Sequence, residues 1–270
     1  MRDLTMAPLR WDGGWQPAAA GASPEECPVA IVIDGVSQAV LMATPRDLRD
    51  FALGFALTEG LIASTADVTG FDETEASVGG FPAREARLWL RPGLAVRLAE
   101  RRRSMIGPVG CGLCGLDSIA AALPPVVAVG SDWSMPPERV AQAMQALAAG
   151  QVLRQTTPAI HGAGFWDGQA ALVREDIGRH NALDKLAGAL AQQGGDSGQG
   201  AIVMSSRLSV DLVQKAARIG APILIGASAP TALALAWAEA AGITLIARAR
   251  GTAFDLYTHP RRIAETRGPR

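Results

Sequence analysis

The stretch AIVMSSRLSVDLVQKAARIGAPILIGASAPTALALAWAEAAGITLIARA, residues 201–249, decides the fold. Three short apolar runs, AIVM (201–204), PILIG (222–226) and ITLIARA (243–249), alternate with two stretches of helical period, VDLVQKAARIG (210–220) and TALALAWAEAAG (231–242). Uninterrupted apolar runs of this length suit strands buried on both faces, and a strand-helix-strand-helix-strand succession predicts a parallel, three-layer α/β sheet. Residues 221–247 are long enough to span a bilayer, but Pro222, Ser228, Pro230 and Glu239 interrupt them. The reading is therefore a buried βαβ unit and no membrane span.

Working outward, AIHGAGFW (159–166) and QAALVRED (169–176) read as paired strands about Asp167-Gly168. NALDKLAGALAQQ (181–193) is a helix with Leu183, Leu186, Ala187 and Leu190 facing the core. PPERVAQAMQALAAG (136–150) is another, with proline at its start and glycine at its end. Nearer the N-terminus, PVAIVIDGVSQAVLMAT (28–44) predicts a hairpin about Asp34-Gly35. TPRDLRDFALGFALTEGLI (44–62) predicts a helix capped by Thr44, with Pro45 at its first position and Leu48, Phe51, Ala52, Phe55 and Ala56 on one face. EARLWLRP and LAVRLAE are strand candidates, and LDSIAAALPP is a short helix stopped by two prolines. Residues 1–24, rich in Pro, Gly and Ala without a period, predict a flexible tail. The division expected is that tail, an N-terminal α+β region over 25–135 and an α/β core over 136–270.

Composition narrows the function. Aromatic residues are 5% of the chain and apolar residues 49%, so the core is built from aliphatic side chains. A formal net charge of −1 argues against a nucleic-acid partner or an anionic membrane surface, so an anionic ligand needs a local cluster of bases. The first residues, MRDLTMAPLRWDGG, contain no apolar secretory segment, and a cytoplasmic location is expected.

Cys111 and Cys114 stand in SMIGPVGCGLCG (104–115), among four glycines, and the chain has only one other cysteine, Cys27. A structural zinc site needs about four ligands. Here there is one pair, while Cys27, His161, His180 and His259 are scattered, so no metal is expected. A zinc deaminase would carry a histidine upstream of the pair, and none precedes Cys111. A thioredoxin-like couple would sit in a stiff turn after an early strand, whereas this loop is glycine-rich and central, which predicts mobility. Two small thiols packed in a turn remain the bland reading. The preferred one is nucleophilic sulfur chemistry: a thiolate is the reactive form, and the helix expected after Gly115, with Arg101–Arg103 nearby, favours it.

Three further clusters are candidates. REDIGRHN (174–181) places Asp176, Arg179 and His180 between a strand and a helix. It is either a solvated turn with Asn181 as cap, or a ligand contact at the carboxyl end of a strand, with Arg179 on a phosphate, Asp176 on Arg179 or a guanine edge, and His180 moving protons. Asp184 and Lys185 follow as partners of these residues or as surface. SSRLS and GASAPT put Ser205, Ser206, Arg207 and Ser228 at strand ends before helices, where free N–H groups favour anions, and Ser209 and Thr231 are the expected caps.

CGLCG, EDIGRHNALDKLAG, the 204–246 stretch and TPRDLRDFALGFALTEGLI together closely resemble the FdhD family, over about residues 28–263. The resemblance implies an accessory sulfurtransferase required by formate dehydrogenase. Such a protein takes persulfide sulfur from a cysteine desulfurase and passes it to the molybdenum (or tungsten) bis-guanine-dinucleotide cofactor. It implies that Cys111 carries the persulfide and Cys114 assists, on a homodimer with a cytidine-deaminase-like core. It also implies cofactor binding by Arg248, Ala249, Arg250, Gly251, Thr252 and Ala253. The family's Gly-Gly before its histidine is replaced here by Pro158-Ala159, while His161 keeps its place. The alternative is a cofactor-binding chaperone for formate dehydrogenase in which the cysteines are incidental.

Overall fold

A computed structural model describes residues 8–18, 23–94 and 124–263. Cys111, Cys114, Arg101–Arg103, all but the first residue of LAVRLAE and the body of LDSIAAALPP lie outside the described residues.

Where the sequence predicts a tail without secondary structure, Leu9–Trp11 (β1) and Trp15–Pro17 (β2) form a small antiparallel hairpin. Trp11 and Trp15 pair edge-to-face across it, with centroids 5.3 Å apart. Strands of three residues are too short to show alternation, which is why the pattern gives no sign of them.

The N-terminal region is a four-stranded sheet, order β4-β3-β6-β5, made of Cys27–Ile33 (β3), Val36–Ala43 (β4), Val68–Val78 (β5) and Phe81–Leu90 (β6). The β3–β4 hairpin turns at Asp34-Gly35 as expected, with both residues at positive φ (48° and 76°). Helix α1, Leu48–Thr58, lays Leu48, Phe51, Ala52 and Ala56 against Val29, Ile31, Ala86 and Leu88 of this sheet.

Helix α1 begins three residues later than predicted, and Thr44 is not its cap. Asp47, in the left-handed region at φ 54°, holds the N-cap position without a side-chain bond. Thr44 is instead bonded through backbone and side chain alike. Its N–H donates to Asp176 Oδ2 (3.0 Å), its carbonyl accepts from Lys185 Nζ (2.9 Å), and its hydroxyl oxygen accepts from Ile177 N–H (3.2 Å). These tertiary partners outweigh the local capping preference.

The larger sheet has six strands: His161–Trp166 (β7), Ala171–Asp176 (β8), Ala201–Met204 (β9), Ile223–Gly226 (β10), Thr244–Arg250 (β11) and Ala253–Leu256 (β12), in the order β12-β11-β10-β9-β7-β8. β9, β10 and β11 run parallel, as the 201–249 stretch predicts, and the outer pairings are antiparallel. Its helices are Glu138–Gly150 (α2), Val152–Thr156 (α3), Arg179–Gln193 (α4), Val210–Ile219 (α5) and Ala232–Ala241 (α6). Alternate strand residues face opposite sides. Ile202, Met204, Leu224 and Leu245 pack with α4, α5 and α6. Val203, Ile223, Ile225 and Ile246 pack with α2. The result is three layers, with α1 inserted between α4 and the smaller sheet.

The seam between α1 and α4 is unusually close. A Cβ on Gly54 would collide with the carbonyl of Asp184, and one on Gly188 with the carbonyl of Asp50. Each helix thus presents a glycine to the other's backbone. Asp184 and Lys185, expected as partners or surface, are buried in this seam. Lys215 Nζ donates to both oxygens of Asp184 (2.8 and 3.1 Å), to Thr58 Oγ1 (2.9 Å) and to Glu59 Oε1 (2.8 Å). Burial disfavours both charges and raises the Asp184 pKa, but Asp184 and Glu59 outweigh it for Lys215, whose pKa is also raised. The Lys215 ammonium stays charged, and four donor contacts reach the carboxylates of Asp184 and Glu59.

Candidate functional site

Strand direction assembles the site. The parallel strands β9, β10 and β11 end at one edge of the sheet. Because β7 is antiparallel to β9, it starts there with His161; β8, antiparallel to β7, ends there with Asp176; β12, antiparallel to β11, starts there with Ala253. Candidates from five separate segments therefore share one edge: His161, Asp176 with Arg179 and His180, Ser206 with Arg207, Ser228, and Arg248–Ala253. Hydrogen bonds knit the segments together. Gly162 N–H donates to Ser205 Oγ (2.8 Å), Ser205 N–H to the Gly162 carbonyl (3.0 Å), and Arg248 N–H to the Ser228 carbonyl (3.2 Å).

The candidates differ in what they can do. Asp176 is fully buried. Its carboxylate pairs with Lys185 Nζ (2.7 Å) and accepts from Thr44 N–H, Gly178 N–H (2.8 Å) and Asn181 Nδ2 (2.9 Å). Its oxygens are thus engaged inside the protein, and it faces neither Arg179 nor an incoming base edge. Asn181 is inside α4 and not its cap; Gly178 holds that position. Asn181 also donates to the Met42 carbonyl (2.9 Å), tying the helix start to β4.

His180 opens α4 and its Nε2 meets Asp211 Oδ2 in the first turn of α5. Burial pushes its pKa down to about 4, Asp211 opposes this, and Arg179 and Lys215 add to it. The imidazole is therefore neutral near pH 7, with its Nε2 set against the carboxylate. Burial, followed by Arg179, Arg154 and Arg207, also lowers His161, against Asp176. Its Nδ1 is buried and finds no partner among the described residues, and the same is true of Arg179 Nε.

These two histidines set an acid limit. Both bind protons more weakly folded than unfolded, so the unfolded chain holds the extra proton between the two pKa values. Stability is full above the unfolded value of 6.5 and falls as pH drops toward about 4. For His180 alone that window is worth about 3 kcal/mol, from roughly 1.4 kcal/mol per unit. Urea unfolding at pH 7.5 and pH 5 should show the loss, and His180→Gln should flatten it; an unchanged slope in that variant would refute the assignment.

Ser206 is buried and its hydroxyl donates to the Arg207 carbonyl (2.9 Å), while Arg207 is exposed. Thr231 caps α6, accepting from Ala234 N–H (3.3 Å), as expected. Ser209 stands at the N-cap of α5 but makes no capping bond, and its buried Oγ has no partner among the described residues. Arg248–Ala253 forms the bulged corner between β11 and β12. Arg248 is a non-glycine residue at φ 51°, the register shifts between Ala247 and Arg250, and Gly251 turns at φ 58°. Arg248 pairs with Asp255; Arg250, Gly251, Thr252 and Ala253 are exposed, and Ala249 packs inward.

The sequence covered by these elements matches one family model, described as the FdhD/NarQ family, over residues 24–264. The chain belongs to the FdhD/NarQ family. Relatives described as sulfur carrier protein FdhD include that of Bordetella bronchiseptica, 46% identical over 251 residues (91% of this chain and 90% of the relative). That of Agrobacterium fabrum is 46% identical over 245 residues, covering 90% and 89%, and that of Cupriavidus necator 44% over 261, covering 96% and 89%. A crystal structure of a protein described as a formate dehydrogenase accessory protein, from Desulfotalea psychrophila, superposes with TM-score 0.71 at 24% identity, covering 96% of this chain and 98% of that one. It supports the fold.

Pro158-Ala159, which the resemblance marks as a departure, is braced in the structure. Arg154 Nη1 donates to the carbonyls of Ile160 (2.8 Å) and Pro158 (3.4 Å), holding the turn that delivers His161. Helix α3, which carries Arg154, is itself fixed by Glu175, whose carboxylate accepts from Leu153 N–H (2.7 Å) and Arg154 N–H (3.0 Å). Sequence reasoning missed Arg154, Glu175 and Asp211 because each acts across tertiary contacts. Glu175 does lie within the REDIGRHN cluster, and an acidic residue four positions after Arg207 is the one local trace of Asp211. Among the described residues no helix is long and apolar enough to cross a membrane.

Proposed function

We propose that this chain carries sulfur for the maturation of formate dehydrogenase. Cys111 accepts a sulfane sulfur from the persulfide of a cysteine desulfurase and passes it to the molybdenum (or tungsten) bis-guanine-dinucleotide cofactor, which is the substrate. The observation that carries this reading is membership of the family over residues 24–264, in a chain that retains Cys111-Gly-Leu-Cys114 within that span. The names of the relatives support it, as does the convergence of polar candidates on one sheet edge.

Loading is a thiol–persulfide exchange. The Cys111 thiolate attacks the terminal sulfur of the desulfurase persulfide, that S–S bond breaks, and the desulfurase thiolate leaves, with no net redox change. Release as sulfide needs two electrons. The Cys114 thiolate supplies them by attacking Cys111 Sγ: the bond to the carried sulfur breaks, sulfide leaves to the metal, and a Cys111–Cys114 disulfide remains for a cellular thiol to reduce. The cofactor is read onto the sheet edge at Ser206, Arg207, Ser228 and Arg248–Ala253, with His161, Arg179 and His180 beside them. Asp176 drops out, because its oxygens are engaged by Lys185 and three other donors. A cytidine-deaminase-like core, the homodimer and the cytoplasmic location remain part of the reading.

Mass spectrometry after incubation with a cysteine desulfurase and cysteine tests it. The expected result is an adduct of about 32 Da, one sulfur, on Cys111, removed by a thiol reductant. Cys111→Ala should abolish the adduct and the ability to restore formate dehydrogenase activity. A Cys111→Ala protein that still restores activity would instead identify a cofactor-binding chaperone.

A further inference from the structure

Away from the sheet edge, a cavity of about 290 Å³ opens between the ends of three helices. Helix α4 starts at the candidate edge with Arg179, and α5 runs from β9 back to the start of its parallel neighbour β10. Both helices therefore end on the opposite side of the molecule. There Leu190 of α4, Ile219 of α5 and Leu57 of α1 give the cavity an aliphatic lining. Ser64, on the connector from α1 to β5, joins Ser197 and Arg218 as the polar lining. No carboxylate lines the cavity among the described residues, and the acids close by in the chain are engaged. Asp67 accepts from the N–H groups of Ala63 (2.8 Å) and Ser64 (3.0 Å), Asp196 accepts from Gly198 N–H (2.9 Å), and Lys215 holds Asp184 and Glu59. A guanidinium carries five donors, so Arg218 can meet a ligand beside a protein partner.

We propose that this cavity binds a short aliphatic monocarboxylate, with its carboxylate on Arg218 and its chain against Leu57, Leu190 and Ile219. Size sets the scale: at about 30 Å³ per water the space holds roughly ten waters, which suits a ligand of about six to ten heavy atoms. Charge sets the sign and the limit. The guanidinium fork matches the two oxygens of a carboxylate. The last turns of α4 and α5 line the same space, and their negative dipole ends oppose further anionic charge. One negative charge is thus answered, and the two of a phosphate are not. A zwitterionic amino acid would bring an ammonium that no lining carboxylate meets, and the lining contains no aromatic ring. Thr58 lines the cavity as well and donates to Asp184 (2.6 Å), so an occupant also braces the seam between α1 and α4. The site is separate from the sheet edge and stands without the sulfur-carrier reading.

Titration of methyl-labelled, full-length protein with hexanoate, butyrate, hexanol and pyrophosphate, followed by NMR, tests the site. Hexanoate is expected to shift the methyl signals of Leu57, Leu190 and Ile219 saturably, and to leave Leu208, beyond the end of β9, unmoved. Butyrate, two methylenes shorter, should bind about tenfold more weakly, at roughly three- to fourfold for each buried methylene. Arg218→Gln should weaken hexanoate by about tenfold or more, the usual effect of losing a charge-assisted bond, and Arg218→Lys should retain part of the affinity. Ala63→Trp puts a large side chain at an exposed position of the lining and should abolish binding with the urea midpoint unchanged. Hexanol binding as tightly as hexanoate, or pyrophosphate shifting the same methyls, would overturn the monocarboxylate assignment. Hexanoate affinity indifferent to both Arg218→Gln and Ala63→Trp, shifts spread over unrelated methyls, or no shift at all would overturn the site itself.

Discussion

Gly54→Ala should lower the stability of the fold by more than about 3 kcal/mol. The added methyl has nowhere to go, since its position falls on the backbone carbonyl of Asp184, which cannot rotate away as a side-chain tip would. The helices must separate, and separation strips α1 from α4 over the seam that also buries Lys215, Asp184 and Thr58. Overpacking of a core typically costs about 1–3 kcal/mol. A rigid backbone clash that opens a charged seam should exceed about 3 kcal/mol, a large part of the roughly 5–15 kcal/mol that holds a domain together. Gly188→Ala should behave alike, whereas Gly195→Ala, with no atom within 4 Å of the new methyl, is the control. Urea midpoints decide it; a Gly54→Ala midpoint equal to that of Gly195→Ala would mean that the seam is looser than described.

Lys185→Met comes second. Lys185 and Asp176 are both fully buried, and removing one partner leaves a carboxylate in the interior with backbone and amide donors but no countercharge. Breaking such a pair costs about 3–5 kcal/mol, while replacing both partners is often close to neutral. The double variant Asp176→Asn, Lys185→Met should therefore recover much of the stability lost by the single one, as read from urea unfolding of all three proteins. If the single variant unfolds at the wild-type urea concentration, the pair contributes nothing and Asp176 is held by its hydrogen bonds alone.

The sequence makes the larger sheet legible because its parallel strands are buried on both faces, so AIVM, PILIG and ITLIARA stand out between helices with clear periods. The edge carrying the candidates follows from strand direction, which a strand-helix alternation implies. Three things were not legible, each for a physical reason. The acidic strand β5 reads as VTGFDETEASV, polar at most positions, because one face and the edge of its sheet meet solvent. The true start of α1 depends on Asp176 and Lys185, more than 130 residues away, recruiting Thr44. REDIGRHN shows its charges but not their division of labour: Asp176 serves the interior, whereas Arg179 at the edge has a donor with no partner among the described residues. Spacing along a chain carries no record of which charges are already answered.

Helix α1 has a consequence for how the chain can be divided. A fragment starting at residue 136, the boundary that composition suggests, would keep Lys185, Asp176 and Lys215 but lose Thr44 and Thr58, which complete their bonding. It would also leave the flat, glycine-marked flank of α4 facing water. Such a fragment should be insoluble on its own and rescued by co-expression with residues 1–135. The two sheets are halves of one cooperative body, and damage to the smaller one will be felt at the edge of the larger through the chain of contacts that meets at Thr44.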